Sequence, residues 1–209
     1  MSAKKLLHRY LDECPLVAIV RGIRPDEAEA IGKAVQESGI RIIEVPLNSP
    51  DPLRSIELLA KALGDSMLIG AGTVLGADEV RRVKDAGGHI IVSPDSNTDV
   101  IAATAEAGLV SSPGYFTPSE AFAAIRAGAT ALKLFPAEAT SPSALKAHLA
   151  VLPSDIPLLI VGGIRPDNMR PWLDAGATGF GLGSGLYSPG QSGAETLDKA
   201  RAYLAGLRG

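Results

Sequence analysis

Val17-Ala18-Ile19-Val20-Arg21-Gly22-Ile23-Arg24-Pro25-Asp26 holds an apolar run, a turn and a helix start in consecutive residues. The run does not alternate with polar residues, as expected for a strand covered on both faces of a parallel sheet. Pro25 suits a first helical turn, where an N–H has no partner to lose, and Asp26 beside it suits the positive end of the helix. The unit recurs. Leu158 to Val161 is another apolar run, and Gly163-Ile164-Arg165-Pro166-Asp167 repeats the turn and the helix start.

Outward from these two units lie six more short apolar runs: Ile40 to Val45, Met67 to Ala71, His89 to Val92, Leu109 to Ser112, Ala131 to Phe135 and Gly179 to Leu182. The segments between them, such as Pro25 to Glu37, Asp51 to Leu63 and Pro118 to Arg126, carry apolar residues at helical spacing. Ser38-Gly39, Ala86-Gly87, Ala107-Gly108, Ala127-Gly128 and Ala175-Gly176 each close a helical pattern, with glycine supplying the left-handed residue that ends a helix. One such stop is missing, and Pro153 falls near its place. Eight βα units in 209 residues predict an α/β fold of the (β/α)₈ TIM-barrel kind, a single domain over 1–209. The segment before Val17 reads as an extra N-terminal helix that covers the barrel bottom. The competing architecture, an open doubly wound sheet, lacks a Gly-x-Gly-x-x-Gly after the first strand.

Composition narrows the function classes. The formal net charge of -3 disfavours nucleic acid and anionic membranes as partners. No apolar run is long enough for a membrane span, and the first ten residues have no apolar core or cleavage site, so a cytoplasmic location is expected. Cys14 is the sole cysteine, and His8, His89 and His148 are far apart, so the sequence predicts neither an internal disulfide nor a metal site.

In barrels the chemistry collects where strands end at the C-terminal face. Those ends are Arg21, Glu44, Thr73, Pro94, Pro113, Lys133, Gly162-Gly163 and Gly183-Ser184. Three carry charge within apolar surroundings, which is costly unless the charge is paired or used. Lys133 is either half of a structural ion pair or a nucleophilic amine. For the latter it must be neutral, at a cost of about 4.6 kcal/mol at pH 7 for an unperturbed lysine. Burial and a nearby cation, for which Arg21 is the candidate, both lower that cost. Glu44 is the lysine's partner, a general acid/base, or both. Arg21 is an anion-gripping residue or an exposed strand end. Gly70-Ala71-Gly72-Thr73 is a tight turn, or a place where a ligand approaches backbone with the Thr73 hydroxyl alongside. Gly162-Gly163 and Gly183-Ser184-Gly185 follow the seventh and eighth strands, where barrels often cradle phosphate on backbone N–H groups. Trp172 and Phe122 read as packing residues. Tyr115-Phe116 fits either the pocket mouth or a subunit contact.

Several of these stretches together resemble the 2-keto-3-deoxy-6-phosphogluconate and 6-phosphogalactonate aldolases. They are Ala18 to Ile23, Glu44-Val45-Pro46-Leu47-Asn48-Ser49-Pro50, Ile69 to Val74, Leu132-Lys133-Leu134-Phe135-Pro136 and Val161 to Ile164. The resemblance runs from Pro15 to about Tyr203. It implies that Lys133 forms a Schiff base, that Glu44 transfers protons, and that Arg21 and Thr73 bind the pyruvyl carboxylate end. It also implies phosphate binding by Gly163, Gly183 and Ser184, a phosphorylated keto sugar acid as substrate, a homotrimer, and no metal or cofactor. Pro46-Leu47-Asn48-Ser49-Pro50 after Glu44, and Val161 where the gluconate enzymes commonly carry threonine, look like the galactonate branch. Phe135-Pro136-Ala137-Glu138-Ala139 looks more like the gluconate branch. The substrates of the two branches differ at C4 alone. The remaining readings are a phosphosugar isomerase or epimerase using Glu44 as base, and a noncatalytic sugar-phosphate-binding barrel.

Overall fold

In the computed structural model, which describes residues 2–208, helix and strand alternate along the chain. The order is α1 (Ala3–Glu13), β1 (Leu16–Ile19), α2 (Pro25–Ser38), β2 (Ile42–Pro46), α3 (Pro52–Leu63), β3 (Leu68–Gly72), α4 (Ala77–Asp85), β4 (Ile90–Val92), α5 (Thr98–Glu106), β5 (Val110–Ser112) and β6 (Gly114–Tyr115). It continues with α6 (Pro118–Arg126), β7 (Leu132–Leu134), a 3₁₀ turn (Ala137–Ala139), α7 (Pro142–Leu149), β8 (Leu158–Val161), α8 (Arg170–Asp174), β9 (Gly179–Leu182) and α9 (Gly193–Gly206).

The strands form one parallel sheet in the order β5-β4-β3-β2-β1-β9-β8-β7-β6. β5 and β6 are separated by Pro113 alone. β5 bonds to β4 and β6 to β7. The Ser111 and Pro113 carbonyls accept from Ala131 and Lys133 N–H at 3.0 and 2.9 Å. Residues 110–115 are therefore one strand, interrupted at a residue with no N–H to donate. The sheet closes on that strand, giving the (β/α)₈ barrel the sequence predicts, with its fifth strand running past Ser112 to Tyr115.

Alternation along the strands sorts the side chains into two layers. Val17, Ile42, Leu68, Ile90, Val110 and Leu159 point inward and pack on Leu7, Tyr10 and Leu11 of α1 in one buried cluster. The amphipathic α1 thus closes the bottom of the barrel, as its sequence position implies. The intervening residues, such as Ala18, Ile43, Ile69, Leu132, Ile160 and Phe180, face the surrounding helices in a second cluster. Two residues further along the inward rows stand Ile19, Glu44, Gly70, Val92, Ser112, Lys133, Val161 and Gly181, the layer above the apolar plug.

The five glycine stops behave as expected: Gly39, Gly87, Gly108, Gly128 and Gly176 have φ of 107°, 85°, 74°, 106° and 104°. The repeated Pro-Asp start does not. Pro25 opens α2, but Pro166 opens only a turn, and α8 begins at Arg170. Pro171 explains the difference. A helix begun at Pro166 would place Pro171 in its interior, without a donor and against the preceding turn. Asn168 stabilises the turn instead, accepting from the Arg165 N–H and donating to the Gly163 carbonyl, both at 2.9 Å.

Candidate active site

Glu44 lies in the middle of β2, in register with Ile19 of β1 and Gly70 of β3. Lys133 is the central residue of β7, in register with Gly114 and Leu159. Both inward side chains are buried, at 2% and 7% exposure. Glycine makes room for the carboxylate, because a Cβ on Gly72 would overlap it. Of the two sequence readings of this turn, a tight turn or a ligand's approach to backbone, the first holds at Gly72, where the space is filled by Glu44 itself.

No hydrogen bond or ion pair joins Lys133 to Glu44 among the described residues, yet each senses the other's charge. Burial pushes the Glu44 carboxyl up to about 7, against the opposing pull of Lys133 and Arg21. Burial also pushes the Lys133 amine below its ordinary value. Glu44 opposes that shift, Arg21 adds to it, and Asp95 opposes it more weakly. The two groups thus move toward one another, an acid that holds its proton longer and an amine that loses its proton sooner. Phe135 sets its ring centre 4.8 Å from the lysine Nζ. Glu44 Oε2 and the hydroxyl of Ser112 are buried without a hydrogen-bond partner among the described residues.

Arg21 leaves the end of β1 and donates to Asn48 Oδ1 and, from both terminal nitrogens, to Thr73 Oγ1 at 3.4 Å. Thr73 sits at φ 55°, a left-handed conformation that costs a β-branched residue about 1–3 kcal/mol. Ser49 reinforces the same loop, accepting from the Gly22 N–H at 2.9 Å. A cavity of about 510 Å³ opens beside Arg21 and is lined by Ile19, Phe135, Val161, Gly162, Gly163, Gly183 and Ser184, with Glu138, Ile164, Arg165, Gly181 and Gly185 completing the wall. Tyr203 on α9 braces its floor, donating to the Ile164 carbonyl at 2.9 Å and filling the space a Gly185 side chain would need.

The structure therefore brings Arg21, Val161, Gly162, Gly163, Gly183 and Ser184 to one cavity, with Thr73 tied to it through Arg21. Lys133 and Glu44 lie deeper in the barrel, and Phe135 belongs both to the cavity wall and to the surroundings of the amine. Sequence reasoning left Asn48, Phe135, Asp95, Ser112 and Arg165 without roles. Asn48 and Phe135 stand within stretches already singled out, which was the available signal. Tyr115 is not at a pocket mouth. It is part of β6, 2% exposed, with its hydroxyl 3.3 Å from His148 Nδ1, while Phe116 next to it is exposed.

A closed parallel barrel with a desolvated amine and a desolvated carboxylate on different strands, below a cavity with an arginine and glycine turns, defines a barrel enzyme suited to chemistry at a carbonyl. Comparison with known proteins narrows that class. The family model for KDPG and KHG aldolase matches residues 7–202. The 2-dehydro-3-deoxy-6-phosphogalactonate aldolase of Escherichia coli (strain K12) is 47% identical over 200 residues, which cover 96% of this chain and 98% of that protein. The solved native KDPGal structure is 46% identical with a TM-score of 0.92, covering 94% of this chain and 95% of its own. The KDPG aldolase of Legionella pneumophila, solved with pyruvate captured at low pH as a covalent carbinolamine intermediate, is 25% identical with a TM-score of 0.82, covering 94% and 96%. The chain belongs to the KDPG and KHG aldolase family and is a carbon–carbon lyase.

Proposed function

We propose that this aldolase cleaves 2-dehydro-3-deoxy-6-phospho-D-galactonate to pyruvate and D-glyceraldehyde 3-phosphate through a Schiff base on Lys133. The observation that carries the reading is the buried Lys133 amine, held below its ordinary pKa and electrostatically coupled to a buried Glu44. The neutral amine adds to the C2 ketone, and loss of water from the carbinolamine gives an iminium. A base takes the C4 hydroxyl proton, the C3–C4 bond breaks, and its electron pair moves into the iminium to form an enamine. D-Glyceraldehyde 3-phosphate leaves. Protonation of the enamine at C3 and addition of water then release pyruvate and restore the amine. Glu44, with a pKa near neutrality, suits both removal and return of protons.

The cavity suits the rest of the substrate. Arg21, oriented by Asn48 and Thr73, takes the carboxylate, and Gly162, Gly163, Gly183 and Ser184 take the phosphate on N–H groups and a hydroxyl. The E. coli and Legionella relatives support the substrate class and the covalent chemistry respectively. The same reading takes residues 1–209 as one working domain in a cytoplasmic homotrimer, with a solution mass three times the 21.5 kDa of one chain. It requires no metal, cofactor, nucleic acid or membrane. Among the described residues, no helix is long and apolar enough to cross a membrane.

The gluconate epimer remains the second reading, favoured by the stretch Phe135 to Ala139. Val161 is the residue to test, since it lines the cavity with methyl groups where a threonine would offer a hydroxyl. Pyruvate release is measured from both C4 epimers side by side. The galactonate form is expected to be preferred, and Val161→Thr to move the ratio toward gluconate by about tenfold, the value of one hydrogen bond. A parent enzyme that prefers the gluconate epimer would replace the first reading with the second.

A further inference from the structure

The two copies of the Gly-Ile-Arg-Pro-Asp turn diverge at the next residue, Glu27 in the first and Asn168 in the second. In the first copy the Arg24 guanidinium is shared between Asp26 and Glu27, and Glu27 also accepts from the Tyr187 hydroxyl at 2.7 Å. In the second, Asn168 spends its side chain on backbone, binding the Arg165 N–H and the Gly163 carbonyl. Tyr203 fixes the Ile164 carbonyl from below. The main chain of residues 163–165 is thus held firmly, while the Arg165 guanidinium has one carboxylate partner among the described residues. That partner is Asp167, at 3.2 Å, with side chains 64% and 76% exposed. An exposed pair of this kind contributes little and exchanges partners readily.

Arg165 also lines the cavity that carries Gly162, Gly163, Gly183 and Ser184; Arg24 is not part of that wall. The other cation in the lining is Arg21, which is engaged with Asn48 and Thr73. The Glu138 carboxylate shares the wall and repels an anion. A phosphate monoester settling on the glycine turns would otherwise meet only neutral donors and an opposing carboxylate.

We propose that Arg165 is a phosphate-binding residue of this aldolase, whose guanidinium exchanges Asp167 for the substrate's phosphate. The planar fork presents paired N–H donors to phosphate oxygens, with charge that no glycine turn supplies. The assignment rests on the aldolase reading above and adds a residue to its substrate site. It also gives the repeated motif two outcomes: the copy with Glu27 is a structural clamp, and the copy with Asn168 releases its arginine for binding.

The test uses the full chain with Arg165→Ala, Arg165→Gln, Arg165→Lys and Arg24→Ala. KM and kcat are measured with the phosphorylated substrate at low and high salt. Pyruvate with borohydride gives a phosphate-free measure of Lys133 in each variant. Removing the Arg165 charge should raise KM about tenfold, with kcat changed less than about threefold and the pyruvate adduct unchanged. Arg165→Lys should recover part of the loss. Arg24→Ala should leave KM within about twofold, and the parent's KM should rise with salt more steeply than that of Arg165→Ala. Unmoved KM in Arg165→Ala and Arg165→Gln, with a normal pyruvate adduct, overturns the assignment of Arg165 alone. An equal rise in Arg24→Ala also overturns it. Absence of the adduct in the parent strikes the aldolase reading instead.

Discussion

At the scale of single residues, Glu44 governs the pH behaviour. Its carboxyl must be ionised to accept a proton, and burial lifts it to about 7. The rate kcat/KM should therefore fall as pH drops below about 7, with unit slope, and Glu44→Gln should abolish that limb while lowering kcat about 10²–10⁴-fold. Stability moves in the opposite direction. The folded value exceeds the ordinary 4.5, so the fold favours the protonated form. Stability is greatest below the unfolded value and is lost as pH rises through 7, by up to about 3 kcal/mol. Urea titrations should show that loss in the parent and not in Glu44→Gln, and a flat rate profile from pH 5 to 8 would contradict the assigned role. Lys133 and Glu44 were legible in the sequence because a charge inside an apolar strand is conspicuous. Asn48 and Arg165 were not, since polar residues are ordinary in loops and only the fold shows which of them face a cavity.

At the scale of elements, the barrel bottom depends on α1. Leu7 is fully buried in one cluster with inward residues of the strands and does not line the cavity. Leu7→Ala should cost about 2–5 kcal/mol in equilibrium unfolding and leave KM unchanged, because the void forms beneath the layer that carries the chemistry. A large change in KM with no loss of stability would mean that α1 serves the site rather than the core. The elements were largely readable from apolar runs and glycine stops, since buried parallel strands and left-handed helix ends leave strong local signatures. Two features escaped for physical reasons. The fifth strand continues through Pro113 because its neighbours can bond to carbonyls on either side of a missing N–H. The helix at Pro166 fails because Pro171, a few residues later, forbids it.

At the scale of the whole molecule, barrel closure is what makes a site. β2 and β7 are distant in the strand order, and neither the amine nor the carboxylate shifts in pKa without the low-dielectric interior that the closed sheet creates. The inward row of each strand was predictable from alternation, but which rows meet depends on the register and the closure through residues 110–115, which no local pattern encodes. Borohydride reduction in the presence of pyruvate, followed by peptide mapping, reports whether the Lys133 amine forms the covalent bond to substrate. The expected result is one covalent pyruvyl increment per chain, on Lys133, absent from Lys133→Ala. No adduct, or an adduct on any other lysine, would contradict it.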